Sequence, residues 1–287
     1  MNFRSLLPLL VMMPTFALAG PAEIKLWPEG KGGDGAEKVS LFAHLPGGEK
    51  RGSALRPAVI VCPGGGYGGV VMSYEGHEVA KWFVQQGFVA FVLKYRVAPH
   101  RHPLPMHDVQ RAVQWVRSSA GEHQVDPQRI GVIGFSAGGH LAATAGTKVA
   151  APEAGADDPV LRVSSRPDFM VLAYPVISMA EGVGHAGSRR NLLGAEAGEP
   201  LVESMSLEKQ VTAKTPPTFL FHTSADTVVH VENSLRFYAA LKRAGVDGEL
   251  HVYREGPHGV GLDRHPGTES WPGLLKTWLQ RSGFAGK

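Results

Sequence analysis

The chain has 287 residues, 43% hydrophobic and 19% charged, a balance that fills a full-sized globular core and excludes a disordered chain. A formal net charge of only +3, with no run of five or more like charges, argues against the basic surface that nucleic-acid binding requires. One cysteine, Cys62, excludes an intramolecular disulfide, so the core must supply the stability.

In chain order, the first element is a leader rather than part of the fold. Arg4 precedes the apolar run Leu6–Phe16, and Ala17-Leu18-Ala19 supplies a small-x-small pattern. We read residues 1–19 as a signal peptide cleaved after Ala19, which sends the mature chain 20–287 to the periplasm or outside the cell. The run is short for a bilayer span, and no later stretch is long and apolar enough, so stable membrane insertion is not expected after cleavage.

Beyond it, apolar and β-branched runs alternate with helical spacing. Strands are predicted at Ala58–Cys62, Val89–Tyr95, Ile130–Gly134, Phe169–Ala173, Pro217–His222 and Leu250–Tyr253. Helices are predicted at Glu75–Gln86, Asp108–Ser119, Ser136–Ala145, Asn233–Ala244 and Trp271–Leu279. The alternation predicts one α/β domain over 20–287: a doubly wound, mostly parallel sheet with helices on both faces. Residues 178–215 interrupt it with scattered glycines and little periodicity. They read either as a cap-like excursion that shapes a binding site or as a plain surface loop.

The chemistry concentrates at Gly134-Phe135-Ser136-Ala137-Gly138, a G-x-S-x-G pattern between a strand and a small-residue helix. A serine nucleophile needs a base, an acid to orient that base, and N–H donors for the developing oxyanion. The order that accompanies this elbow is serine, acid, histidine. Asp226 follows the strand run "TFLFH", and His258 follows "LHVY" within Gly256-Pro257-His258-Gly259. Both fall at carboxyl ends of strands, where open parallel sheets place their sites. The glycines of "PGGGYGG" after the first strand can turn bare amides toward a negative oxygen. The expected donors are Gly65 or Gly66 with Ala137, and Tyr67 is expected to line the site.

Other candidates have plainer readings. Asp108 reads as a helix N-cap, Asp126 as a turn residue and Cys62 as a small buried side chain. His140 reads as packing or surface and His222 as a satisfied buried histidine. His100, His102 and His107 lack the cysteine or carboxylate spacing of a metal site, so neither a metal nor a cofactor is expected.

These stretches, with "EGHEVAKWFVQQGFVAFVLKYRVAP" and "DVQRAVQWVRSSAGEHQVDPQRIGVIGFSAGGHLAA", resemble the α/β-hydrolase superfamily over nearly the whole mature chain. More narrowly the chain is similar to bacterial secreted acetyl xylan and feruloyl esterases, relatives of the hormone-sensitive-lipase-like group. Pro63 stands where the lipase-type glycine motif carries histidine. The resemblance implies Ser136 as nucleophile, Asp226 as orienting acid, His258 as base, and a small or polysaccharide ester, chiefly of xylan, as substrate. Relatives of this kind are often labelled xylanases, but the residues themselves place no paired carboxylates for glycosidic cleavage, so no glycosidase is expected. Two alternatives use the same residues differently: a serine peptidase of the prolyl-oligopeptidase type, or a non-catalytic ligand-binding hydrolase fold.

Overall fold

The computed structural model describes residues 21–47, 54–262 and 264–286; the expected leader lies outside them. Among these residues, eight strands form one sheet. They are β1 (Ala22–Lys25), β2 (Ser40–His44), β3 (Arg56–Cys62), β4 (Val89–Lys94), β5 (Val125–Phe135), β6 (Phe169–Ala173), β7 (Thr218–Thr223) and β8 (Gly248–Tyr253). Their order is β1-β2-β4-β3-β5-β6-β7-β8, with β1 and β2 antiparallel at one edge and the other six parallel. The parallel core follows from its residues: β3 beyond Arg56, the second half of β5 (Ile130–Phe135) and β6 are continuous buried runs without a charged residue, as strands covered on both faces must be. The antiparallel pair β1 and β2 is absent from the strands that the sequence pattern predicts, whereas the opposite edge strand β8 is among them. β1 is the short, mostly exposed run AEIK, too polar to register as a strand until β2 pairs with it.

Side-chain alternation divides the core in two. On β3, Ala58, Ile60 and Cys62 join one cluster, while Val59 and Val61 join the other. The first cluster is covered by α2 (Leu104–Ser118), α3 (Ala137–Thr147) and α6 (Glu232–Arg243), through Val109, Leu141 and Phe237. The second is covered by α1 (Glu78–Gln85) and α7 (Trp271–Arg281), through Phe83, Trp271 and Trp278. Helices therefore lie on both faces of the mostly parallel sheet, and Cys62 is buried among the core residues.

Three local expectations need correction. The helix expected over Glu75–Gln86 comes in two pieces, a π-type turn at Ser73–His77 followed by α1, and the turn buries Glu75. Helix α2 starts at Leu104, so Asp108 is not an N-cap but lies a full turn inside it. There its carboxylate accepts from the Arg96 guanidinium, from the Arg96 backbone N–H at 2.9 Å and from Trp27 Nε1 at 2.9 Å. Tertiary partners, rather than the helix end, account for that acid. Finally, residues 178–215 are less irregular than their pattern. They hold α4 (Ala186–Leu193), α5 (Glu199–Ser204) and a 3-10 turn at Leu207–Lys209. Leu192, Val202, Met205 and Leu207 anchor the segment in the first core cluster.

Candidate active site

Strand β5 ends one residue before Ser136, whose backbone has φ 54° and ψ −121°, a strained conformation for a residue with a side chain. The turn is tight enough to dictate the flanking glycines. A Cβ at Gly134 would strike the Gly138 carbonyl, and one at Gly138 would strike the carbonyls of Cys62 and Pro63. The elbow is thus wedged between its own helix and the end of β3.

The Ser136 Oγ lies 2.8 Å from His258 Nε2, and His258 Nδ1 lies 2.7 Å from Asp226 Oδ2. An ionised carboxylate only accepts, so Nδ1 carries the hydrogen and Nε2 is left to accept from the serine hydroxyl. Asp226 follows β7, and its other oxygen accepts from the backbone N–H groups of Val228 and Val229, both at 2.9 Å. Burial by itself would raise the Asp226 pKa. Hydrogen bonds from His222, His258 and the Val229 amide, with the charge of His258, outweigh burial and hold the carboxyl well below the usual carboxylate range. His222 is buried, with Nδ1 against Ser234 Oγ at 2.7 Å and Nε2 against the Val229 carbonyl at 2.9 Å. Its Nε2 also stands 3.5 Å from Asp226 Oδ2, the same oxygen that His258 engages, so it backs the acid from within the core.

Beside the serine runs the glycine loop. Gly65 has φ 130° and Gly66 φ 63°, and a Cβ at Gly65 would run into the Gly69 carbonyl. Among the described residues the amides of Gly65, Gly66 and Ala137 find no acceptor, which leaves them free for a negative oxygen. The loop is tied at both ends. The Gly64 N–H donates to Glu75 Oε2 at 2.9 Å, and Asn191 Nδ2 on α4 donates to the Gly66 carbonyl at 2.9 Å.

Sequence reasoning missed Glu75 and Asn191. Glu75 is 3% exposed, and its second oxygen accepts from the Tyr174 hydroxyl at 2.8 Å. Burial pushes its pKa up, against the lowering effect of those two hydrogen bonds and of His258. The Tyr174 ring stands edge-on to His258 at 5.1 Å, so Glu75 and Tyr174 together link the glycine loop to His258. Only the glutamate's position soon after a glycine loop signalled this, and its helical spacing pointed elsewhere. Tyr67 is placed differently from the expectation that it lines the site. Its ring is 1% exposed, and its hydroxyl donates to His140 Nδ1 at 2.9 Å, which puts it beneath the loop. Among the described residues, no group of three or more His, Cys, Asp or Glu side chains is arranged to hold a metal ion.

A parallel sheet that presents a strained serine, an acid and a histidine in that chain order defines the α/β-hydrolase class, the architecture of many esterases. The BD-FAE family profile matches residues 45–241, and the chain belongs to that family of α/β-hydrolases. It is 35% identical over 239 residues to endo-1,4-beta-xylanase B of Butyrivibrio fibrisolvens, covering 82% of this chain and 36% of that protein. It is 34% identical over 209 residues to the acetylxylan esterase of Xylanibacter ruminicola, covering 71% of this chain and 41% of that protein. The chain thus spans well under half the length of either relative. Among solved structures, it resembles an acetyl ester-xyloside bifunctional hydrolase from Caldicellulosiruptor lactoaceticus, with 43% identity and a TM-score of 0.87 over 93% of this chain and 98% of that one. The propionate-bound esterase Est2 of Thermogutta terrifontis gives 28% identity and a TM-score of 0.75, over 93% of this chain and 96% of that one.

Proposed function

We propose that the chain is a secreted serine carboxylic-ester hydrolase that removes acyl groups, acetyl before feruloyl, from xylan-type polysaccharide esters. The observation that carries this reading is the unbroken relay from Ser136 Oγ through His258 to Asp226, beside amides left without acceptors. His258 Nε2 takes the Ser136 proton as Oγ bonds to the ester carbonyl carbon. The carbonyl oxygen, now negative, is held by the Ala137 amide with that of Gly65 or Gly66. Asp226 stabilises the imidazolium and keeps its orientation. Collapse breaks the bond to the alcohol oxygen, which leaves with the proton from His258 Nε2. A water molecule then gives its proton to His258 and attacks the acyl-serine, releasing the acid and restoring the serine. No cofactor enters the scheme.

The polysaccharide substrate and the secretion rest on the acetyl ester and acetylxylan names of the similar proteins and on the leader pattern at 1–19. Xylan-backbone cleavage has less support. A glycosidase needs two carboxyl groups facing the cleft, whereas Asp226 is engaged by His258 and two amides and Glu75 is buried under Gly64.

The test is hydrolysis of p-nitrophenyl acetate, methyl ferulate, acetylated xylan, p-nitrophenyl xyloside and a proline-containing amide, each beside Ser136→Ala. The expected result is release of acetate, with kcat lost by a factor on the order of 10⁶ in the variant. Turnover of the amide alone would make the protein a peptidase. A folded protein inactive on every ester would make it a binder.

A further inference from the structure

Beyond the relay and the glycine loop, one half-buried histidine borders the site from the excursion. His185 immediately precedes α4 and caps it: its Nδ1 accepts from the Ser188 N–H at 3.3 Å and lies 2.9 Å from Ser188 Oγ. A backbone amide only donates, so Nδ1 holds a lone pair and the neutral ring carries its hydrogen on Nε2. Among the described residues that Nε2–H has no hydrogen-bond partner. The ring's Cε1 would lie 3.9 Å from a Cβ at Gly66, so the ring stands against the glycine loop. Asn191, about one and two-thirds turns further along, donates to the Gly66 carbonyl and fixes helix and loop as one wall. Burial lowers the His185 pKa first, and the charge of His258 lowers it further against the opposing effect of Asp226. The ring is therefore neutral at pH 7 and lies within the electrostatic reach of the catalytic pair.

The position selects which part of a substrate His185 meets. The leaving oxygen must receive its proton from His258 Nε2, so the alcohol portion of the ester lies on the His258 side of the cleft. The His185 ring stands against the Gly66 loop, and both His258 and Asp226 act on its charge, so it borders the cleft on that side. We propose that His185 determines specificity, its Nε2–H donating to a hydroxyl on the carbon next to the ester-bearing carbon of the alcohol. A partly acylated sugar presents that group, and a simple alkyl ester does not. The inference rests on the serine-esterase reading above and narrows its substrate class to esters of vicinal diols.

The experiment compares 2-hydroxyethyl acetate with propyl acetate, which differ by a hydroxyl in place of a methyl. The kcat/KM ratio of the two is measured for the wild type, His185→Asn and His185→Ala. The asparagine variant is the decisive one, because its side-chain oxygen can still cap α4 while its shorter amide falls short of the cleft. In both variants the hydroxy ester is expected to lose roughly 3- to 10-fold more kcat/KM than propyl acetate, as removal of one hydrogen bond predicts. An unchanged ratio, or an equal fall on both esters in His185→Asn, would overturn the proposal and leave the ring as a prop for Gly66. Hydrolysis that survives in Ser136→Ala would remove the serine reading and this inference with it. Failure to release acetate from xylan while the ratio still depends on His185 would fault the polysaccharide substrate and uphold the role of His185.

Discussion

At the residue scale, the site is organised by two acids with opposite electrostatics. Asp226 is held ionised by His222, His258 and two backbone amides, and it fixes the tautomer of His258. Asp226→Asn keeps an oxygen for the amides of Val228 and Val229 but no longer requires hydrogen on Nδ1. On p-nitrophenyl acetate we expect kcat to fall by a factor on the order of 10⁴. A loss under tenfold would mean that Asp226 does not orient the base. Glu75 has its pKa raised by burial and spends both oxygens on Gly64 N–H and Tyr174 O–H. Glu75→Gln turns one acceptor into a donor that faces one of these donors, so the loop end or the tyrosine must shift. The expected result is a roughly tenfold lower kcat with KM little changed, and about 1–3 kcal/mol lower stability in urea denaturation. Unaltered kcat would make Glu75 purely structural.

At the scale of elements, the sequence was legible where local pattern and tertiary role coincide. Ser136, Asp226 and His258 each follow a recognisable apolar strand, so period and order single out three side chains that the fold brings into hydrogen-bond contact. Glu75, Asn191 and His185 were not found, because each acts across chain segments far apart in sequence and each sits in a stretch whose own pattern says only helix or loop. Asp108 shows the same limit from the other side. Its position suggested a cap, yet the chain uses it to bind the end of β4 and the N-terminal segment to α2. Arg96, equally buried, extends that joint to the carbonyls of Gly32 and Asp34. Removing one charge of a buried pair strands the other, so Asp108→Asn should cost about 3–5 kcal/mol in chemical denaturation. A cost below about 1 kcal/mol would show that the hydrogen bonds alone hold the joint. The glycines of the elbow belong here too: Gly138→Ala forces α3 away from the end of β3, and we expect loss of activity together with stability.

For the whole molecule, the buried histidines set how the fold answers to acid. His140 on α3 joins three parts at once: Nε2 donates to the Met205 carbonyl of the excursion at 2.8 Å, and Nδ1 accepts from Tyr67 beneath the glycine loop. Burial, opposed by the Met205 bond and assisted by His102 and Lys148, brings its pKa down to about 4 from 6.5. Between these values the unfolded chain binds a proton that the folded chain does not. Stability must therefore fall as pH drops below about 6.5, and the loss is complete below about 4. At about 1.4 kcal/mol per pH unit, His140 alone accounts for about 3 kcal/mol. His44, also brought down to about 4 by burial first and by His77 and Lys81, adds to the same window. Asp226 acts elsewhere: its depressed pKa contributes stability that is lost only as pH falls below the ordinary carboxylate range. Urea midpoints measured at pH 7 and pH 5 should thus differ in the wild type. His140→Gln, which keeps a donor and an acceptor but cannot titrate, should narrow that difference. Equal pH dependence in the two proteins would mean that His140 is protonated in the folded chain, and that the joint between loop and excursion does not depend on its neutral form.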